Sequence, residues 1–184
     1  MTPVKATSPE DAFLKLADMY YTKAPDVLRE LGSMNTMWKW EEGQLKYSDC
    51  PAFMYHLRLA EKACNMALAA NPMSANARSM MAIVLAAQQV SLAGASREWT
   101  DSDAGKAEMA RLAMADAAIR SSGVGTLMGA LGIAIKYNDA PVASAIMRAL
   151  PTYANVPMDA NSTLVAAFAS PDQRIRWTAA LTAV

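Results

Sequence analysis

Residues able to do chemistry are few in this chain, and they do not converge. His56 is the single histidine, and no second His or Cys stands at i, i+4 from it, so the helical pairing that a zinc site uses is missing. Cys50 and Cys64 are too far apart for a CxxC redox pair or a metal-ligand spacing. They read as small buried hydrophobes, or as a disulfide if the chain is exported. Glu41 and Glu42 are neighbours, but adjacent strand residues point to opposite faces, so they form no carboxylate pair. Glu10, Asp11 and Asp18 fit helix-cap and solvated-face positions. The run Gly123-Val-Gly125-Thr-Leu-Met-Gly129 imitates a phosphate loop. It lacks the closing Lys-Ser/Thr and follows a helix where a strand is needed, so its glycines serve to end one helix and let the next pack closely. No catalytic set, metal site or cofactor motif emerges, and the expectation is a chain that is not an enzyme.

The elements that would position any site are helical. Over half of the 184 residues are hydrophobic, with fourteen methionines and only 7% aromatics, a balance dominated by Ala and Met that favours helix over sheet. Seventeen basic residues offset seventeen acidic ones. With no Lys/Arg cluster, neither a nucleic-acid footprint nor a polybasic membrane patch is present. Two uncharged stretches, Ser79 to Ser96 and Ser121 to Ile135, read as buried helices: the first carries Gln88, Gln89 and three serines, the second is short and Gly-rich. Met1 to Ser8 is short and polar, with no signal-peptide pattern. The compartment stays open, cytoplasmic by default with export not excluded.

Ser8-Pro9-Glu10-Asp11 is a helix start, with Ser as N-cap, Pro in the first turn and acids at the positive end of the dipole. Phe13, Leu16, Ala17, Tyr20 and Tyr21 then share a face. Pro25 opens a shorter helix, Asp26 to Leu31, closed by Gly32. From residue 37 to 47 the period changes to two: Trp38 and Trp40 alternate with Met37, Lys39 and Glu41, and Leu45-Lys46-Tyr47 continues beyond Glu42-Gly43. This segment reads as a β-hairpin whose tryptophans lean on the helices, or as an irregular helical linker. His56 to Ala70 and Ser74 to Gln89 are helices, Ser91 to Asp103 a loop, and Asp103 caps a helix over Ala104 to Arg120. Thr126 to Tyr137 and Pro141 to Leu150 form a further pair around Asn138-Asp139-Ala140-Pro141. Leu164 to Val184 reads as a short apolar helix, a Ser-Pro-Asp turn and an amphipathic helix carrying Ile175-Arg176 and Ala179-Ala180-Leu181.

Three resemblances attach to these residues. The terminal pair resembles a HEAT repeat, with Asp172 in its turn and Ile175-Arg176 opening its second helix, and the pair over 126–150 is a divergent copy. Ala60, Ala67 and Pro72, with the ending Ala-Leu-Ala-Ala-Asn-Pro, resemble the second helix of a tetratricopeptide (TPR) repeat over roughly 56–90. Cys64 departs from the large residue of that pattern, and the preceding TPR helix is absent. The combination of Met37-Trp38-Lys39-Trp40, Gly43 to Tyr47, Ala67 to Pro72 and Pro171 to Arg176 resembles the large, Ala-rich bacterial HEAT-repeat proteins best represented in planctomycetes. These resemblances imply an all-α fold, an α-solenoid of TPR/HEAT-like antiparallel helix pairs with a small hairpin at 37–47. They imply one helical-repeat domain over 1–184: N-terminal helices at 1–36, hairpin or linker at 37–50, TPR-like helices at 51–120 and HEAT-like pairs at 121–184. The closing HEAT-like unit suggests a fragment of a longer solenoid.

A solenoid is a frame for partners, so the expected function is a non-catalytic scaffold binding a protein or peptide. The rival expectations are a structural spacer or an enzyme whose active residues lie outside this chain. The residues expected on an interaction surface are Trp38, Trp40, Trp99, Arg174, Arg176 and Trp177. In a HEAT unit the arginine bonds neighbouring turns, with Asp172 a local partner. An uncapped seam of Ile175, Ala179 and Leu181 beside Trp177 is expected to drive self-association through residues 171–184.

Overall fold

A computed structural model describes residues 8–28, 32–150 and 162–183. They are predominantly α-helical, with one two-stranded antiparallel sheet. α1 (Pro9–Tyr21) begins as its sequence dictates: the Ser8 hydroxyl accepts the Asp11 N–H at 3.1 Å, and Pro9 needs no hydrogen bond of its own in the first turn. Residues 24–28 make a turn on the Ala24 carbonyl; the remainder of the short helix expected at 26–31 lies outside the described residues.

β1 (Met34–Glu41) and β2 (Gln44–Pro51) form the hairpin, longer at both ends than the expected segment. Its two-residue turn places Glu42 at φ 54° and Gly43 at φ 75°. Positive φ at both positions is the mark of a type I′ turn, which matches strand twist. Glycine takes this conformation freely; Glu42 is held there while its carboxylate pairs with Lys46 at 2.8 Å. Glutamate in place of the usual Asn, Asp or Gly at the first turn position is why the turn is weakly signalled in the sequence.

Six helices follow along the chain to residue 150: α2 (Ala52–Ala70), α3 (Ala75–Ala93), α4 (Arg97–Thr100), α5 (Asp103–Ser121), α6 (Val124–Lys136) and α7 (Ala140–Ala149). α8 (Thr163–Phe168) and α9 (Gln173–Thr182) close the described chain. Most starts carry a side-chain cap. Ser74, Ser96, Ser102, Asp139, Ser162 and Asp172 each accept backbone N–H groups. Two expectations need correcting here. The segment 91–103 is no simple loop, since α3 continues to Ala93 and α4 follows. The cap of α5 is Ser102, with Asp103 moved inside the first turn.

α3 is the hub, packed against α1, α2, α5, α6 and α7. Its sequence neighbours explain this: Met80, Ile83, Val84 and Ala87 are buried, as are Ala77, Ala82 and Ala86 on adjoining faces, so small residues let several helices approach. Gly129 of α6 shows how close that approach is, because a Cβ there would overlap the Ser79 hydroxyl. One apolar core runs from Tyr21 through α2, α3, α6 and α7 to Ile175 and Ala179. A satellite cluster of Cys50, Met54, Leu112 and Ala115 lies under the hairpin. No single described helix is long and apolar enough to cross a membrane; α5 and α6 are bent 111° from each other.

Candidate functional site

The hairpin does the opposite of what its aromatic alternation leads one to expect. Trp38 pairs with Tyr47 and Trp40 with Leu45 across the ladder, and all four turn away from the helices. Their exposures are 52, 68, 71 and 58% in that order. The cause is register. Cys50 is buried and Pro51 runs straight into α2, which fixes Cys50 inward; its ladder partner Asn35 and the next inward residue, Met37, follow, and the even-numbered residues of β1 must then face out. The expectation that the tryptophans lean on the helices is therefore overturned. The outward face is an aromatic-aliphatic strip, with Trp38 and Tyr47 rings 5.5 Å apart and tilted by 52°. The hairpin's lysines stand on its other face, where their charges are spent locally: Lys39 and Lys46 pair with Glu41, and Lys46 also with Glu42 in the turn. These bonds hold Glu41 below the usual carboxylate range, chiefly through the hydrogen bond from Lys39.

Beneath the hairpin lies a cleft of about 490 Å³, lined by Met37, Cys50, Arg58, Trp99 and Glu108 among others. Its polar floor is an ionic staple. Arg111 of α5 reaches Glu61 of α2 at 3.2 Å, Glu108 at 2.6 Å, and the Gln88 side-chain carbonyl of α3. Gln88 is fully buried and donates to Glu61 Oε2 at 2.9 Å, while Arg58 pairs with Glu61 at 3.1 Å. Burial works against the Arg111 charge, but the bond to Glu108 and the charges of Glu61 and Glu108 outweigh it and raise its pKa. With both carboxylates bound to arginines, this cluster locks α5 onto α2 and α3. Burial pushes the Cys50 thiol up to about 11, with Arg58 pulling the other way, so Cys50 is a neutral thiol at physiological pH. Cys64 is pushed up to about 12 by burial and then by Glu61.

A second cleft, about 570 Å³, opens where the C-terminal ends of α1 and α3 meet the N-terminal ends of α2 and α7. His56 and Lys23 line it, together with Tyr21 and Asp139. The Tyr21 hydroxyl donates to Asp139 Oδ2 at 2.7 Å, and Asp139 Oδ1 caps α7 through the Val142 N–H. Burial, then this aspartate, drives the Tyr21 pKa far up. Tyr137 donates to Asp18 alongside, and its ring stands 5.9 Å from that of Tyr21.

The six residues expected on an interaction surface fall in three separate places. Trp38 and Trp40 are on the outer hairpin face. Trp99 is half-buried on α4, edge-on to Phe53 at 5.3 Å, and forms a wall of the cleft under the hairpin. Arg174, Arg176 and Trp177 are on α9, which packs on α7 and α8. Arg176 bonds the Ser170 and Pro171 carbonyls at 2.7 and 2.9 Å, tying the turn to its helix. Asp172 serves the N–H groups of Arg174 and Ile175. The seam expected there is narrower than the sequence suggests: Ile175 and Ala179 are fully buried, and Trp177 and Leu181 alone of the four stay exposed.

No family model, curated protein or solved structure matches this chain. The functional reading therefore rests on its own geometry. Sequence reasoning missed the ionic staple and the His56 cleft. The i, i+3 pairs Arg58/Glu61 and Glu108/Arg111 were a usable signal for the first. Nothing local announces the second, because Tyr21 and Asp139 are brought together from distant parts of the chain.

Proposed function

We propose that the chain is a non-catalytic helical-repeat module that binds a protein partner through the outer face of the β1–β2 hairpin. One observation carries the reading: four large apolar side chains, Trp38, Trp40, Leu45 and Tyr47, form a contiguous strip turned away from the protein's own core. Two-stranded ribbons are marginal in water, and an exposed apolar strip on one is costly unless something covers it. Trp and Tyr are also the residues that most often anchor interfaces. The hairpin's lysines pair with Glu41 and Glu42 on its other face and at its turn, so the strip from Trp38 to Leu45 is itself apolar, which favours an apolar patch on the partner. Packing of α2 on α3, α6 on α7 and α8 on α9 supports the wider reading of stacked TPR- and HEAT-like pairs, with the hairpin as their projecting contact.

The test is a photo-crosslinking amino acid placed at Leu45 or Tyr47 in cells that express the protein natively. The reading expects one discrete adduct with a different protein, lost when Trp40→Ser is added. No adduct, or adducts only between copies of this chain, would refute it.

A further inference from the structure

The cleft at the meeting of α1, α2, α3 and α7 holds the chain's one histidine in an unusual condition. His56 is 6% exposed, yet among the described residues no group hydrogen-bonds either ring nitrogen. No fully enclosed side-chain nitrogen or oxygen among the described residues lacks a partner. An unpartnered nitrogen of His56 therefore has access to the cleft.

We propose that this cleft binds a small monocarboxylate with an apolar body, its carboxylate taken by the Lys23 ammonium and the His56 N–H. Lys23 stands at the cleft in a left-handed turn, φ 54°, and makes no ion pair with any described residue. The other charged group on the wall, Asp139, already receives the Tyr21 hydroxyl on one oxygen and the Val142 N–H on the other. Those donors are neutral, so Asp139 keeps its own charge; Lys23 is the one cationic side chain lining the cleft. His56 is neutral at physiological pH, held down to about 4 by burial and then by Lys23. A neutral imidazole offers one N–H donor, which a carboxylate accepts while its second oxygen pairs with the ammonium. Phe53, Leu57, Val90 and Val142 supply the apolar wall. The volume, about 570 Å³, lies in the range of small-molecule sites, and the mix of apolar walls with a few convergent polar groups is their usual build.

The experiment follows the His56 Cε1–H resonance of the full chain, the one histidine signal in its spectrum. The probes are 3-phenylpropanoate and its uncharged amide, 3-phenylpropanamide. The acid is expected to displace the resonance saturably. The amide should bind about tenfold more weakly, as should the acid to the Lys23→Gln protein, whose substitution is at an exposed position. A His56→Leu variant, followed by calorimetry, should lose a similar factor. No saturable displacement by the acid would overturn the proposal, and so would equal binding of acid and amide or full affinity in Lys23→Gln.

Discussion

α3 and the β1–β2 hairpin are both rich in apolar side chains, and they place them in opposite ways. α3 buries Met80, Ile83, Val84 and even Gln88 among surrounding helices. The hairpin buries Cys50 and presents Trp38, Trp40, Leu45 and Tyr47 to solvent. A helix with small residues on several faces can be enclosed from several directions. A ribbon joined directly to α2 has one inward face fixed by its last residue, and whatever stands on the other face is left out. Apolar character on α3 thus answers to stability, while on the hairpin the fold makes no use of it, which is the ground for proposing a contact face there.

The contrast can be broken most forcefully at the hub. Ile83→Ala removes a fully buried side chain touched from several directions, and should destabilise the fold by about 2–5 kcal/mol in denaturant titration. A loss under about 1 kcal/mol would mean that α3 is not the centre of the core. Arg111→Met comes next. It leaves Glu61 and Glu108, each under one-fifth exposed, with Arg58 as their remaining cation, and roughly 2–3 kcal/mol should be lost, less than for a fully enclosed pair. Adding Glu61→Gln should recover part of that loss; no recovery would show that Arg111 acts through packing alone.

Acid sharpens the comparison from another side. The His56 pKa falls from 6.5 unfolded to about 4 folded, because burial and Lys23 disfavour the imidazolium. Between those values the unfolded chain binds the extra proton, so the stability held above pH 6.5 erodes as pH falls towards 4. Water in the cleft screens part of the effect, leaving on the order of 1–3 kcal/mol. In His56→Leu this portion of the pH dependence should vanish; an unchanged profile would place the acid sensitivity in other groups. The smallest effect is expected on α9. Trp177→Ser should change stability by under about 0.5 kcal/mol, while sedimentation should show weaker self-association than wild type. A wild-type chain that stays monomeric at high concentration would remove α9 as a contact.

Much of the architecture was legible because it is local. Ser8, Ser74, Asp139 and Asp172 announce their helices by capping chemistry, and Ala60 and Ala67 mark the buried face of α2. The existence of the hairpin followed from period-two alternation, but its orientation did not. Alternation states that two faces differ; which one is buried depends on the junction at Pro51 and Ala52, a tertiary matter. Ile175 and Ala179 misled for the same reason, since α9 packs on α7 as well as on the preceding helix. The His56 cleft was beyond reach, because Tyr21 and Asp139 meet through the hub and share no pattern along the chain.

The most direct test of the central claim is the double substitution Trp38→Ser/Trp40→Ser, measured for both denaturation midpoint and crosslinking from Tyr47. If the strip is a contact face, the midpoint should shift by under about 1 kcal/mol in stability while the adduct with the partner disappears. A loss comparable to that of Ile83→Ala, with the adduct retained, would contradict the account and make the tryptophans part of the fold.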